Sequence, residues 1–176
     1  MGGITAPSLY AAFRSKEELF MEAVDLYRRT DGTTKARALT EQPTARAAVE
    51  TMLRDAVKAF TTPGKPRGCL IVLGAMNSAI DSRNVQEHLQ AFRRQTPELI
   101  QRRLERGVVD GDVPRGGDLA ALGSFYATVL HGLSIQARDG TGRAAMMAAI
   151  DCAMAAWDGI VGPDAKAKRP GKSARP

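Results

Sequence analysis

Two cysteines and two histidines in 176 residues leave little from which to build a metal centre or a disulfide framework. Cys69 and Cys152 stand far apart in apolar surroundings, the pattern of reduced thiols in a cytosolic protein. His88 and His131 have no companions at metal-ligand spacing, so no metal or other cofactor is expected. The longest apolar run, CLIVLGAM at 69–76, is interrupted by Gly74 and stopped by Asn77, well short of the roughly 20 residues that cross a bilayer. Residues 1–20 lack a basic start followed by a continuous apolar block, and Ala6 stands where a myristoylation signal needs Ser or Thr. The expectation is a soluble, cytoplasmic protein with no membrane partner. No segment alternates apolar and polar residues in the manner of a half-buried strand, and no internal repeat is present.

Enzyme chemistry is equally thin. PGKPRG at 63–68 has the wrong glycine spacing for a phosphate loop, and Pro66 follows Lys65 where Ser or Thr is required. Cys69 as a nucleophile would need a cationic, partly exposed setting; Arg67 is near, but the apolar run that follows favours an inert buried thiol. The carboxylates fall almost entirely on solvent faces or at helix caps. The chain is not expected to be an enzyme.

What is present is aliphatic. Hydrophobic residues make up 44% of the chain and aromatic ones 5%, so the core is drawn from Ala, Leu, Val, Ile and Met, which usually means helices. The length is sufficient for a substantial core. The net charge of +6 suggests nucleic acid until its location is considered. The last eleven residues, KAKRPGKSARP, hold five basic side chains and no acid, which leaves 20 basic against 19 acidic side chains in residues 1–165. Residues 162–176 are therefore read as a disordered basic tail that solubilises the chain, with non-specific attraction to phosphates as the lesser alternative.

The periodicity predicts an all-α fold. Ser15 through Glu18 form a Ser-x-x-Glu capping box, and Leu19, Phe20, Ala23, Val24 and Tyr27 follow on one face of a helix over 16–29, ended by Asp31-Gly32. A polar connection over 30–42 leads to Pro43 and a helix through Phe60, with Ala48, Met52, Ala56 and Ala59/Phe60 inward. TTPGKPRG at 61–68 is a loop. Residues 69–80 form a short helix buried on all sides, and 83–107 one long helix with Val85, Leu89, Phe92, Leu99, Ile100 and Leu104 inward and Arg93, Arg94, Arg102, Arg103 and Arg106 outward. Pro97 should kink it. Two final helices cover about 118–138 and 142–160.

The opening stretch GITAPSLYAAFRSKEELF, residues 3–20, suits the short second helix of a helix-turn-helix, whose first residues meet base edges in the major groove. Thr5 can cap, Pro7 is pre-set for a first turn, Ser8 and Tyr10 offer hydroxyls, and Leu9 with Phe13 supplies an inner anchor. Lys16 brings charge and a helix N-terminus towards a phosphate. The order Gly3-Ile4-Thr5, Ser8-Leu9-Tyr10, Phe13, Ser15-Lys16-Glu17, Leu19-Phe20 closely resembles the recognition-helix signature of the TetR/AcrR family of bacterial transcriptional regulators. The resemblance is dense over residues 3–27 and looser over PRGCLIVLGA and HGLSIQARDG.

That resemblance implies an all-α protein organised as a DNA-binding remnant over 1–29, a helical regulatory and dimerisation domain over 30–161, and the tail at 162–176. It implies that Thr5, Ala6, Pro7, Ser8 and Tyr10 face operator DNA and that Lys16 clamps a phosphate. Members of the family carry two further helices ahead of the position of Gly3. This sequence lacks them, and a recognition helix of two or three turns is marginal alone in water, so DNA binding by the chain as given is expected to be impaired. The family also implies an unknown small-molecule effector in a cavity between the middle helices, with the helix over 16–29 as the lever. Cavity candidates are Met52, Phe60, Cys69, Met76, His88, Phe92, Thr96 and Tyr126, although plain core packing is the commoner reason for a Met or Phe at helical spacing.

The last two helices carry stripes that suit pairing into a homodimer: Leu122, Tyr126, Val129 and Leu133 on one, Met146, Ile150, Ala153 and Trp157 on the other. The alternative is that both stripes cover the chain's own core. Two functions therefore stand side by side: a ligand-responsive transcriptional regulator, most simply a repressor, and a dimeric helical small-molecule-binding module without a DNA role.

Overall fold

Helical signals dominate the sequence, and the computed structural model follows them. It describes residues 13–30, 32–74 and 82–161, and among these every regular element is a helix. Helix α1 (Lys16–Thr30) starts at the capping box: the Ser15 hydroxyl accepts the Glu18 N–H at 3.1 Å. The glutamate reaches one residue further back than the usual pattern and accepts from the Arg14 N–H at 2.8 Å. Val24 is the only fully buried residue of α1, while Phe20, Met21 and Tyr27 are partly buried against the core and Ala23, expected inward, is exposed.

The polar connection expected over 30–42 contains a helix, α2 (Thr33–Glu41). Among its described side chains only Ala38 and Leu39 are buried, too small an apolar stripe to stand out by periodicity. Its exposed side is held locally, with Arg37 and Glu41 paired at 3.2 Å. Pro43 lies just outside the next helix, α3 (Ala45–Phe60), whose N-cap is Thr44: its hydroxyl accepts the Ala47 N–H at 3.2 Å. The Ala45 N–H is taken by the carboxylate of Asp112, 67 residues on. Helix α3 runs through the middle of the molecule and buries Ala45, Ala48, Val49, Met52, Leu53, Ala56, Val57 and Phe60; Ala59 is exposed.

Loop 61–69 leads to α4 (Leu70–Gly74), of which Ile71, Val72 and Gly74 are buried. The long helix α5 (Arg83–Asp110) contains Pro97 without ending there, and Ser82 caps it. Its inward side is Val85, Leu89, Thr96, Ile100, Leu104 and Gly107. Two expectations fail on this helix. Leu99 is 36% exposed, because it lies about 100° round from Ile100. Arg103 is only 4% exposed, its stem lying along the inward side and its guanidinium donating to the Gln42 carbonyl at 3.4 Å.

Helix α6 (Leu119–Arg138) returns along α5, and the crossing is close at Gly123: a Cβ there would stand 2.6 Å from the Pro97 carbonyl oxygen. The single helix expected over 142–160 is two, α7 (Arg143–Ala155) and α8 (Trp157–Val161), with the break allowing Trp157 to turn in against Tyr126 at a ring separation of 5.4 Å.

Candidate functional site

A pocket follows from the loop between α3 and α4. Its two prolines and two glycines prevent α3 from continuing, and Gly68, at φ +87°, turns the chain into α4. The turn is tied down on both sides: the Gly68 N–H donates to the Phe60 carbonyl at 3.3 Å, and the Cys69 N–H to the buried Ser134 hydroxyl on α6 at 2.8 Å. No side chain fits at 68, since a Cβ would stand 2.6 Å from Leu73 Cδ1 and 2.7 Å from the Ser134 carbonyl oxygen. Further out, Arg67 Nη2 donates to the Thr141 carbonyl at 2.9 Å, and Arg143 Nε to the Thr61 hydroxyl at 2.9 Å.

This strap roofs a pocket of about 490 Å³. Helix α1 contributes Phe20 and Tyr27 to its wall, α3 contributes Ala59 and Phe60, and α4 contributes Leu70, Leu73 and Gly74. The rim is cationic, with Lys65 and Arg67 from the strap and Arg138 from the last turn of α6. Such a space, apolar below and polar at the mouth, can hold a small organic molecule.

Of the residues the sequence nominated for a cavity, Phe60 lines this pocket. Met52, Cys69 and Tyr126 are buried in the continuous core, and Thr96 is buried on α5. Burial pushes the Tyr126 phenol up to about 12, against a lesser opposing pull from Arg46; its hydroxyl donates to the Ala153 carbonyl at 3.4 Å. His88 and Phe92 form a different feature, where α5 meets α1: their rings pack edge to face at 4.7 Å, His88 Nε2 stands 3.3 Å from Asp25 Oδ1, and Arg28 lies 4.5 Å above the Phe92 ring. One turn on, Arg93 Nη1 donates to the Ile71 carbonyl at 3.3 Å, and burial lowers its pKa while leaving it charged. Met76 lies outside the described residues.

The pocket residues that sequence reading missed include Phe20, Tyr27, Lys65, Arg67, Leu70, Leu73 and Arg138, which come from three separate stretches: α1, the strap running into α4, and the end of α6. Phe20 and Tyr27 had been assigned to the inward face of their helix, which was the one available signal.

Of the DNA-facing residues, Thr5, Ala6, Pro7, Ser8 and Tyr10 lie outside the described residues. Lys16 is exposed in the first turn of α1, one residue after the Ser15 cap. The stripes nominated for pairing lie largely inside: Leu122, Tyr126, Leu133, Met146, Ile150 and Trp157 are buried in the chain's own core, and Val129 and Ala153 are partly buried against it. The outer faces of the same helices expose Phe125 on α6 and Ala145, Ala148, Ala149 and Cys152 on α7. Among the described residues no cluster of His, Cys, Asp or Glu could hold a metal ion, and no helix is long and apolar enough to cross a membrane.

A helical chain with a pocket walled by its first described helix has clear counterparts among known proteins. It superposes with a TM-score of 0.82 on a cysteine mutant of the TetR family transcriptional regulator CifR complexed with 26-base-pair double-strand operator DNA, with 42% identity over 87% of this chain and 80% of CifR. The chain belongs to the TetR family of transcriptional regulators. A Rhodococcus chain described as a TetR transcriptional regulator is 35% identical, with a TM-score of 0.64 over 87% of this chain and 81% of its own. The HTH-type transcriptional repressor ComR of Escherichia coli is 26% identical over 160 residues, 90% of this chain and 76% of ComR. No family model matches the chain.

Proposed function

We propose that this chain is a ligand-responsive, DNA-binding transcriptional regulator that acts as a repressor, meeting operator DNA through the segment that runs into Lys16 and a small-molecule effector in the pocket beneath the 61–68 strap. The observation that carries this reading is that one helix bears both the exposed Lys16 and part of the pocket wall. The exposed first turn of α1 presents Lys16, while Phe20 and Tyr27 on the same helix wall the pocket. A rigid helix cannot move its wall residues without moving its N-terminus. An occupant that fits one position of Phe20 and Tyr27 better than another therefore shifts where Lys16 stands, and the size of that shift in population is set by the difference in affinity.

The operator complex of CifR and the repressor name of ComR lend support to DNA as the partner. Sites of this kind are read by two-fold pairs, and the outer faces of α6 and α7, where Phe125 stands among small residues, allow close helix approach between two copies. The pairing surface is thus the outward side of the two helices whose nominated stripes build the core.

Fluorescence anisotropy with the intergenic DNA flanking the gene tests the reading. Binding that is weak but still sequence-specific is expected, and K16A is expected to weaken it further, about fivefold, and to reduce the salt slope by about one. Equal affinity for an unrelated duplex of the same length would sink the regulator reading. Sedimentation equilibrium checks the pairing, with F125E expected to yield monomers.

A further inference from the structure

We propose that the pocket takes an amphipathic organic anion, an aromatic or medium-chain carboxylate, with its charge between Arg67 and Arg138 and its body against Phe20, Phe60 and Leu73. This deepens the reading of the pocket as the effector site and rests on it. Three of the described lining residues are cationic and none is acidic. Two of those cations come from segments that the fold brings to one edge: Arg67 is bonded to the carbonyl of Thr141, three residues beyond Arg138. That bond orients the Arg67 guanidinium and leaves its other N–H groups to donate elsewhere. Neither guanidinium meets a carboxylate among the described residues, so no described acid cancels their charge.

The site is also set before a ligand arrives. The strap is held at Phe60, Thr141 and Arg143, so little ordering is required when an anion binds. One force opposes: Arg138 lies in the last turn of α6, where free carbonyls carry about half a negative charge. The Ile135 and Ala137 carbonyls there are already capped by the Asp139 and Gly140 N–H groups. Two full positive charges outweigh the remainder. A neutral ligand such as an amide would reach the apolar wall but offer the guanidinium N–H groups only a neutral acceptor in place of a charge-assisted one, and a cationic ligand would be repelled.

Isothermal titration calorimetry of the full chain with two matched series tests the idea: 4-phenylbutyrate, its amide and 4-phenylbutylamine, then octanoate, octanamide and octylamine. At least one carboxylate is expected to bind about tenfold more tightly than its amide, with the amines weakest. R138Q and R67Q are each expected to lose about fivefold, the pair together to abolish the preference, and R115Q, an exposed cation just before the N-terminus of α6 and outside the pocket lining, to leave it unchanged. Because R67Q could loosen the strap, R138Q is read alone with its melting temperature as a folding check. Amide or amine binding as tight as carboxylate, no carboxylate binding in either series, or an undiminished preference in R138Q and in the double variant would overturn the proposal. Operator release is scored separately: arginine-dependent carboxylate binding that leaves DNA binding unaltered upholds the ligand class and overturns the effector role of the pocket.

Discussion

His88 Nε2 stands 3.3 Å from Asp25 Oδ1, in contact but off the line of a hydrogen bond, and the pair joins the middle of α1 to the first half of α5. Beside it Arg28 lies over the ring of Phe92, which His88 meets edge-on. With only Val24 fully buried on α1, these four side chains add to the partly buried Phe20, Met21 and Tyr27 in attaching the helix that joins Lys16 to the pocket.

Removal of Phe92 should therefore loosen α1 more than the rest of the molecule. F92A deletes a half-buried ring, the seat of Arg28 and the neighbour of His88, at an expected cost of about 2 kcal/mol. Hydrogen exchange should show lost protection across residues 19–30 with α3 protected as before. Equal loss in both helices would mean that α1 is not a separately docked element.

The two glycines of the strap should respond differently to alanine. Gly64 and Gly68 both have positive φ, +76° and +87°, but a Cβ at 64 meets nothing within 4 Å whereas one at 68 collides with Leu73 and the Ser134 backbone. G64A is expected to cost about 1 kcal/mol, the left-handed penalty alone, and G68A about 2–4 kcal/mol because strain and overpacking add to it. Urea denaturation of both variants decides; similar midpoints would show that the turn at 68 is not locked against α6.

Arg103 offers a place where removing a charge should not harm the fold. It is buried with one long bond to Gln42, and its Nε and Nη1 have no partner among the described residues. A guanidinium taken out of water with so few bonds costs more than it returns, so R103M, which keeps the stem and discards the charge, is expected to hold or raise stability by up to about 2 kcal/mol. A loss of more than about 1 kcal/mol on thermal unfolding would show that the charge is compensated after all.

Tyr126 predicts an alkaline limit. Its folded pKa of about 12 lies above the ordinary 10.0, so between these values the unfolded chain has released a proton that the folded chain retains. Stability from this group is full below pH 10 and falls by about 1.4 kcal/mol per pH unit on rising through the window. Y126F, which loses only the bond to Ala153, should be less stable by about 1 kcal/mol at pH 9 and should close that gap by pH 11 in urea titrations. A gap of constant size from pH 9 to 11 would contradict the buried phenol.

Local chemistry was legible in the linear chain. The Ser15–Glu18 cap, the breaks at the 61–68 loop and around Gly111, and the apolar spacing of α3 and α5 depend on neighbours three or four residues away, so the sequence alone determined an all-helical fold, most helix limits and the TetR-like order of residues 3–20. Packing between distant segments decided the rest. Periodicity could not tell that Leu99 would face out and Arg103 in, because the rotation of α5 is set by α2, α3 and α6 rather than by its own residues. The stripes on α6 and α7 read alike for a partner or for a core, and only the place of α3 beneath them turned Leu122, Met146 and Ile150 inward. The pocket was least visible of all. Phe20, Phe60, Arg67 and Arg138 are spread over more than a hundred residues, and what brings them together is the bend at Gly68, whose fit depends on Leu73 and Ser134 standing too near for any side chain.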